Sequence, residues 1–342
     1  MKKYVKIIPG FAVSLAIALA ARWAEALLPV HFIGASVLAL FIGMLINYFR
    51  KPGDAMMVGL KFTSKRILKF AIILLGASLS MGTVLEVGKF SLAVMVVTLL
   101  TCFGGGYFIG RSLGLNWKLS NLISAGTGIC GGSAIAAIAP VIDAEDSDIA
   151  YAMSATFLFD IAMIVLFPIM GHALGLSDMA YGLWSGTAVN DTSSVVAAGY
   201  AFSEAAGDFA TMVKLTRTLA IIPTVIIFAF IGLNIQKKEA AARGNAAGET
   251  ARIHILSIFP WFILGFLGLA AANSLGLVPY ALSLAAKDLS KLLMVCALAA
   301  IGLNTSLRDF KKSGVAPMLH GFIISALVVV AAIAVEYAIG II

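Results

Sequence analysis

Five consecutive polar residues interrupt an apolar stretch that is long enough to cross a membrane. They read NDTSS at positions 190–194. An ionisable side chain within a bilayer is costly, so its presence indicates a functional site. Asp191 could carry a coupling proton or bind Na⁺, and the neighbouring groups Asn190, Thr192 and Ser193 could hydrogen-bond a substrate. A loop outside the membrane or a buried structural network is the alternative interpretation.

A glycine-rich stretch 60 residues earlier has a related pattern. Residues 124–139 read SAGTGICGGSAIAAIA, and residues 184–199 read WSGTAVNDTSSVVAAG. At this offset Gly126, Thr127, Ser133 and Ala137 coincide with Gly186, Thr187, Ser193 and Ala197. Paired interruptions in membrane segments are the usual sequence sign of a transporter's binding site.

The glycines predict a helix break in the first stretch. Four of them fall within residues 126–133, and each costs about 1 kcal/mol relative to alanine in a helix. A break near Gly131 would create an N-terminus that favours an anion and a C-terminus that favours a cation. Close helix packing through small residues is the alternative. The candidate substrate ligands here are Thr127, Gly128, Cys130, Gly131, Gly132 and Ser133.

Three more ionisable residues lie in apolar segments. Asp160 is predicted to carry a proton or to bind a buried cation, with a structural salt bridge as the alternative. Lys214 and Arg217 are three residues apart and so share a helix face. We expect them to contact an anion or to pair with Asp160 or Asp191; extension of both side chains to the membrane surface is the alternative. Asn304 is a weaker candidate for a coupling-ion site.

The composition indicates an all-α, polytopic membrane protein. Of the 342 residues, 61% are hydrophobic and 12% are charged, whereas a soluble domain has about 25% charged residues. The net charge of +7 does not indicate nucleic-acid binding, because the basic residues lie between the apolar segments. The three cysteines fall within apolar stretches, so free thiols are expected.

About eleven membrane segments are predicted, within a single domain of residues 1–342. A basic, amphipathic stretch at 54–66 is predicted to be an interfacial helix, and 236–252 a cytoplasmic loop. The predicted segments are 7–28, 32–49, 67–86, 90–110, 119–142, 149–171, 180–201, 209–234, 255–275, 282–307 and 315–340.

The distribution of lysine and arginine predicts the orientation of the chain in the membrane. These residues concentrate in connections that fall on one side if every segment crosses, which makes the N-terminus cytoplasmic. The acidic residues of 143–148 and 204–208 are then expected on the opposite side.

Two alternatives remain for 119–142 and 180–201. As crossing, broken helices they would be parallel; as re-entrant hairpins from opposite faces they would be antiparallel, which leaves nine spans. Their length of about 24 residues slightly favours crossing. A weaker match between 69–89 and 291–311 lies in segments of opposite direction and suggests an inverted repeat.

Three motifs carry a family resemblance. GTGICGGSAIAAIAPVI at 126–142, WSGTAVNDTSSVVAAGY at 184–200 and VKLTRTLAIIPTV at 213–225 resemble signature stretches of the YeiH family. The resemblance implies a transporter-like protein of the bacterial inner membrane, and the family's label, sulfate exporter, suggests an anionic substrate. The pattern GT…(N/C)…S…AA and the end of the tenth segment at 303–311 are also similar to the bile acid:sodium symporter superfamily, which implies inverted repeats, crossing broken helices and alternating access. In that superfamily, however, a whole repeat separates the two motifs.

The combined prediction is a secondary transporter for a small anion, working by alternating access at the two interrupted segments. Lys214 or Arg217 would offset the substrate charge, and Asp160 or Asp191 would couple transport to H⁺ or Na⁺. A cation/proton antiporter is the alternative. An intramembrane enzyme is disfavoured, because the sequence has neither a nucleophile–base pair nor a metal cluster. No cofactor or metal is predicted; the expected partners are a small anion and the lipid bilayer, and a homodimer is left open.

Overall fold

The computed structural model describes residues 7–27, 35–242, 261–305 and 314–342, without the side chains of 146 and 233–242. These ranges are helical and contain no strand. The helices are α1 (Ile8–Leu27), α2 (Ala35–Phe49), α3 (54–76), α4 (Met81–Ser112), α5 (117–130), α6 (Gly132–Ile138), α7 (Asp146–Ala173), α8 (Asp178–Ala188), α9 (Thr192–Phe202), α10 (Glu204–Leu219), α11 (Ile221–Ala242), α12 (Trp261–Ser274), α13 (Tyr280–Asn304) and α14 (Val315–Ala338).

Five stretches of the described chain are long and apolar enough to cross a membrane. They are Ile8–Ala26, Met81–Ser112, Ser147–Ala173, Glu204–Gly232 and Val315–Ala338. Two shorter apolar helices, α2 and α12, accompany them. The prediction of an all-helical membrane protein is therefore confirmed.

The glycine-rich stretch folds back on itself rather than running through. Near its start, the Lys118 ammonium donates to the carbonyl of Asp143, which follows its end. The Asn116 amide also donates to Asp148 Oδ1 at 3.1 Å. Residues 117–143, here called hairpin 1, thus begin and end at the same end of the bundle. The expectation of a crossing helix was wrong here, because the length of the stretch alone does not distinguish the two arrangements.

The second interrupted stretch is also a hairpin. Ser203 donates to Asp178 Oδ1 at 2.5 Å, so its two ends are in contact. The Tyr181 hydroxyl donates to the carbonyl of Ala198 at 2.9 Å, and the Tyr181 and Phe202 rings stack with centroids 3.9 Å apart. Each arm has 11 residues, or about 16 Å of helix, which is too short to cross about 30 Å of hydrocarbon. Residues 178–203 are called hairpin 2.

Helix α7 joins the two hairpins and sets their opposite orientation. Hairpin 1 ends just before α7 begins, and hairpin 2 begins just after α7 ends. With 28 residues, α7 is about 42 Å long. The hairpins therefore enter the bundle from opposite ends, and their tips meet near the middle of α7. The acidic residues of 143–148 lie at the same end as Lys118, so their predicted placement on the opposite side was wrong.

The remaining helices pack around this pair. The stretch predicted as an interfacial helix, 54–66, is the first half of the continuous helix α3, which includes a π-helical turn at Thr63–Ile67. Its Gly59 packs against Gly10 of α1. Ser290 of α13 donates to the Ala71 carbonyl of α3 at 2.6 Å. Residues 306–311 lie outside the described ranges, as do 243–252 of the predicted cytoplasmic loop; 236–242 continue α11.

Candidate functional site

The tips of the two hairpins are in contact at Gly131 and Asp191. Gly131 has φ +63° and ψ −133°, a backbone conformation that residues other than glycine rarely adopt. A Cβ atom at Gly131 would lie 3.1 Å from both Cβ and Oδ1 of Asp191. The turn between α5 and α6 therefore depends on glycine for its backbone angles and for the close approach of hairpin 2.

Asp160 holds the turn of hairpin 2. From the middle of α7, its Oδ1 accepts the backbone N–H of Asn190 and its Oδ2 accepts that of Asp191, both at 2.9 Å. The carboxyl group is almost completely buried. Two backbone N–H donors fix the position of the carboxyl group. This geometry gives Asp160 a positioning role at the tip of hairpin 2.

Asp191 is the N-cap of α9. Its Oδ2 accepts the backbone N–H of Ser193 at 2.9 Å and also contacts the Ser193 hydroxyl. Aspartate is among the preferred N-cap residues, because its oxygen binds a free N–H group of the first helical turn. Asp191 is only half-buried, unlike Asp160.

Lys214 and Arg217 of α10 bind the C-terminal ends of the first arms of the two hairpins. The Lys214 ammonium donates to the carbonyl of Val189 at 2.9 Å. Arg217 donates from Nε to the carbonyl of Gly128 at 2.7 Å, from Nη2 to that of Thr127 at 2.5 Å, and from Nη1 to that of Thr187. The guanidinium group thus contacts both hairpins. Two of its partners, Thr127 and Thr187, occupy equivalent positions in the two stretches at the offset of 60 residues.

The structure excludes two of the three arrangements predicted for Lys214 and Arg217, namely extension to the membrane surface and pairing with an aspartate. Both are 0% exposed, which excludes extension to the membrane surface. Neither pairs with Asp160 or Asp191: the ion pairs within the described ranges join Lys287 and Lys291 to the acidic groups Glu204 and Asp208. The sequence cannot indicate the observed partners, because backbone carbonyls are the same for every residue type.

The charges at the tips are arranged by helix polarity. The C-terminal ends of α5 and α8 carry partial negative charge, and Arg217 and Lys214 donate to their carbonyls. The N-terminal end of α9 carries partial positive charge and receives Asp191. Each buried basic group therefore offsets a helix C-terminus.

One side of the tips is accessible. Ser133 is exposed, and Gly132, Asp191 and Thr192 are half-buried, whereas Cys130 is buried. The accessible groups are two hydroxyls, one carboxylate and backbone at the start of two helices.

Two buried oxygen atoms at the tips have no hydrogen-bond partner in the described part of the chain. They are Thr127 Oγ1 and Asn190 Oδ1. The Asn190 amide nitrogen is 3.4 Å from both the carbonyl of Thr156 and the hydroxyl of Ser325. Buried oxygens are normally bonded, so these two are unusual.

Asn304 ends α13, where Asn47 of α2 donates to the carbonyl of the preceding Leu303 at 2.5 Å. The side-chain oxygen of Asn304 is buried and has no hydrogen-bond partner in the described ranges. Sequence reasoning also missed Ser325, whose only sequence signal is one hydroxyl in an apolar helix. Among the described residues no three His, Cys, Asp or Glu side chains are grouped to hold a metal ion.

Comparisons with known proteins agree on one family. The model for "Conserved hypothetical protein 698" matches residues 9–321. A UPF0324 membrane protein of Clostridium tetani is 54% identical over 334 residues, which is 97% of each chain. Another, from Streptococcus pyogenes serotype M18, is 38% identical over the full length of both chains.

A structural comparison is less informative. A sodium proton antiporter from Methanocaldococcus jannaschii aligns over 98% of this chain and 97% of its own, with 14% identity and a TM-score of 0.31. That score is too low to identify a shared fold. The extended sequence similarity, together with the three motifs at the hairpins and α10, shows that the chain belongs to the UPF0324 family of membrane proteins, the YeiH family.

Proposed function

We propose that the chain is a secondary transporter for a small anion, with the substrate bound between the tips of the two hairpins. The observation that carries this proposal is the meeting of two interrupted helices over two fully buried basic side chains, Lys214 and Arg217. In the proposed topology nine helical elements cross the bacterial inner membrane, two hairpins enter it from opposite faces, and the N-terminus is cytoplasmic.

The polarity of the tips supports an anionic substrate. With the C-terminal ends of α5 and α8 bound to Arg217 and Lys214, the accessible groups belong to the first turns of α6 and α9. Backbone N–H groups at a helix start favour an anion. The hydroxyls of Ser133 and Thr192 would add side-chain donors. A tetrahedral or planar oxyanion matches this set of donors.

Asp191 supplies a means of coupling. Its carboxylate occupies the start of α9, where a substrate anion would otherwise bind. Two negative charges at one helix start repel each other, so protonation or cation binding at Asp191 would favour the anion. This arrangement predicts that the anion and a proton or cation move together.

The opposed hairpins support alternating access. Hairpin 1 lies between the tips and one end of the bundle, and hairpin 2 lies between the tips and the other end. A shift of the surrounding helices relative to the two joined hairpins would open a path to one side at a time. Because Arg217 bonds to both hairpins, we expect the tips to move as one unit.

Cation/proton antiport is the second candidate. It is favoured by the unpartnered oxygens of Thr127 and Asn190 next to the half-buried carboxylate of Asp191. Oxygen atoms of this kind suit Na⁺ as well as a proton donor. In this alternative no anionic substrate exists.

Flux into proteoliposomes tests the proposal, with labelled sulfate, a small sulfonate and a small carboxylate as probes. We expect uptake of at least one probe, and a higher half-saturating concentration for Ser133→Ala and Thr192→Val. Ser147→Ala is the matched control, since Ser147 is exposed at the start of α7 and bonds to Glu145. Proton release driven by Na⁺ without uptake of any anion would refute the anion proposal and support the antiporter.

A further inference from the structure

A carboxylic acid lies buried at the far end of α14, outside the hairpin tips. Glu336 is 0% exposed, and neither of its carboxyl oxygens has a hydrogen-bond partner in the described ranges. It belongs to the last turn of α14, which ends at Ala338. Buried carboxylates are ordinarily paired with a cation or with several donors, so this side chain is unusual.

The ionised form of Glu336 is disfavoured by two effects. An unpaired carboxylate loses its hydration on burial and gains nothing in return. The C-terminal end of a helix carries partial negative charge, which repels a carboxylate in the last turn. A proton bound to Glu336 removes both penalties at once.

Within the described ranges, the elements packed against α14 supply no compensating cation. It packs against α4, α5, α7 and α8. Toward the Glu336 end, Glu86 and Lys89 of α4 are exposed, and the His172 ring of α7 stacks on the Phe202 ring with centroids 4.2 Å apart. On α8, Asp178 is exposed and bonds to Ser203, and the buried Tyr181 donates its hydroxyl to Ala198.

Toward its other end, α14 faces charged groups that are engaged elsewhere or exposed. Arg111 of α4 is exposed. Lys118 of α5 is partly buried and donates to the backbone carbonyl of Asp143. Asp160 of α7 is held by two backbone N–H groups.

The buried face of α14 connects Glu336 with the hairpin tips. His320, Ile324, Val328, Ala332 and Glu336 recur at intervals of four residues, and Ser325 lies beside Ile324 on this buried face. The Ser325 hydroxyl is 3.4 Å from the Asn190 amide at the tip of hairpin 2. Movement of α14 would therefore affect both sites.

We propose that Glu336 is a proton-binding site, protonated in the conformation described here and separate from Asp191. Release of the proton requires water to reach the buried face of α14, so proton exchange at Glu336 follows the movement of this helix against α7 and α8. This inference does not depend on the identity of the transported substrate.

Infrared spectroscopy of the purified, full-length protein tests this proposal through the C=O stretching band of a protonated carboxyl group. At neutral pH we expect the band in the wild type and in Glu86→Gln, whose target is the exposed glutamate of α4, but not in Glu336→Gln. We also expect Glu336→Gln to unfold at a higher temperature than the wild type at alkaline pH and at the same temperature at acid pH. The reason is that glutamine has the size of a protonated glutamate and stays uncharged at every pH, whereas Glu336 must keep its proton in the folded protein.

Two results would overturn the proposal. One is an unchanged band in Glu336→Gln. The other is failure of both Glu336→Gln and Glu336→Met to fold while Glu86→Gln folds, because this would show that the buried carboxylate is required in its ionised form.

Discussion

Gly131 and Asp191 occupy equivalent positions in two stretches that are 60 residues apart, and they are in contact where the hairpin tips meet. One is the residue at which hairpin 1 turns, and the other begins the second arm of hairpin 2. The repeated pattern in the sequence is therefore a structural pseudo-symmetry. Arg217 lies where the carbonyls of the equivalent Thr127 and Thr187 converge.

Replacing Gly131 by alanine tests the contact between the tips. The positive φ angle and the 3.1 Å approach to Asp191 both oppose a Cβ atom. We expect Gly131→Ala to destabilise the protein by about 1–3 kcal/mol, measured by thermal unfolding in detergent. Gly132→Ala is the control, since only Met153 comes within 4.0 Å of its Cβ position. Equal unfolding temperatures for the two variants would contradict this account of the tip.

Arg217→Lys tests the bonds that join the hairpins. Three carbonyls share the guanidinium group, and the compact ammonium of lysine cannot reach all of them. Each buried carbonyl left unpaired costs about 1–3 kcal/mol. The comparison is Arg111→Lys, at an exposed arginine of α4, which we expect to change stability by less than about 0.5 kcal/mol. An Arg217→Lys variant as stable as the wild type would show that these three hydrogen bonds do not hold the hairpins together.

The two aspartates at the tip of hairpin 2 are expected to respond differently to the same substitution. Asp160→Asn replaces one acceptor by a donor that faces a backbone N–H, at a cost of about 1–3 kcal/mol. Asp191→Asn should be nearly neutral, because asparagine is an equally good N-cap. Unfolding temperatures of the two variants provide the measurement. A lower unfolding temperature for Asp191→Asn than for Asp160→Asn would show that Asp160 does not position the tip of hairpin 2.

The hairpins make a topological prediction that single-cysteine labelling checks. In a background without Cys102, Cys130 and Cys296, cysteines placed at Lys118 and Asp143 should react with an impermeant thiol reagent from the same face. Cysteines at Asp178 and Ser203 should react from the other face, and as a pair they should form a disulfide, since the native side chains are in contact. Labelling of positions 118 and 143 from opposite faces would show that this segment crosses the membrane.

Local sequence patterns predicted the breaks but not the direction of the chain after them. The glycines of 126–133 and the polar residues of 190–194 mark the turns because their effects on helix stability are local. The choice between a crossing helix and a hairpin depends on contacts such as Asp178 with Ser203, which join residues far apart in the chain. Segment length did not decide it, since about 24 residues suit either arrangement.

The partners of the buried charges were also beyond sequence reasoning. The predicted salt bridges from Lys214 and Arg217 to Asp160 or Asp191 are not formed; both side chains bind carbonyls at helix ends, which exist only after the helices break. Glu336 was not predicted. It is a single carboxylate within the last apolar segment, and because a charge inside a membrane is costly, such a residue is a candidate functional site.

Uptake driven by a proton gradient, compared between the wild type and Asp191→Asn in proteoliposomes, tests whether the hairpin tips couple an anion to a proton. The probe is the labelled anion that the wild type transports. We expect the wild type to accumulate this anion against its gradient, whereas Asp191→Asn exchanges it across the membrane without accumulating it, because asparagine retains the cap but cannot bind the proton. Accumulation by Asp191→Asn equal to that of the wild type would contradict the claim that the hairpin tips couple an anion to a proton through Asp191.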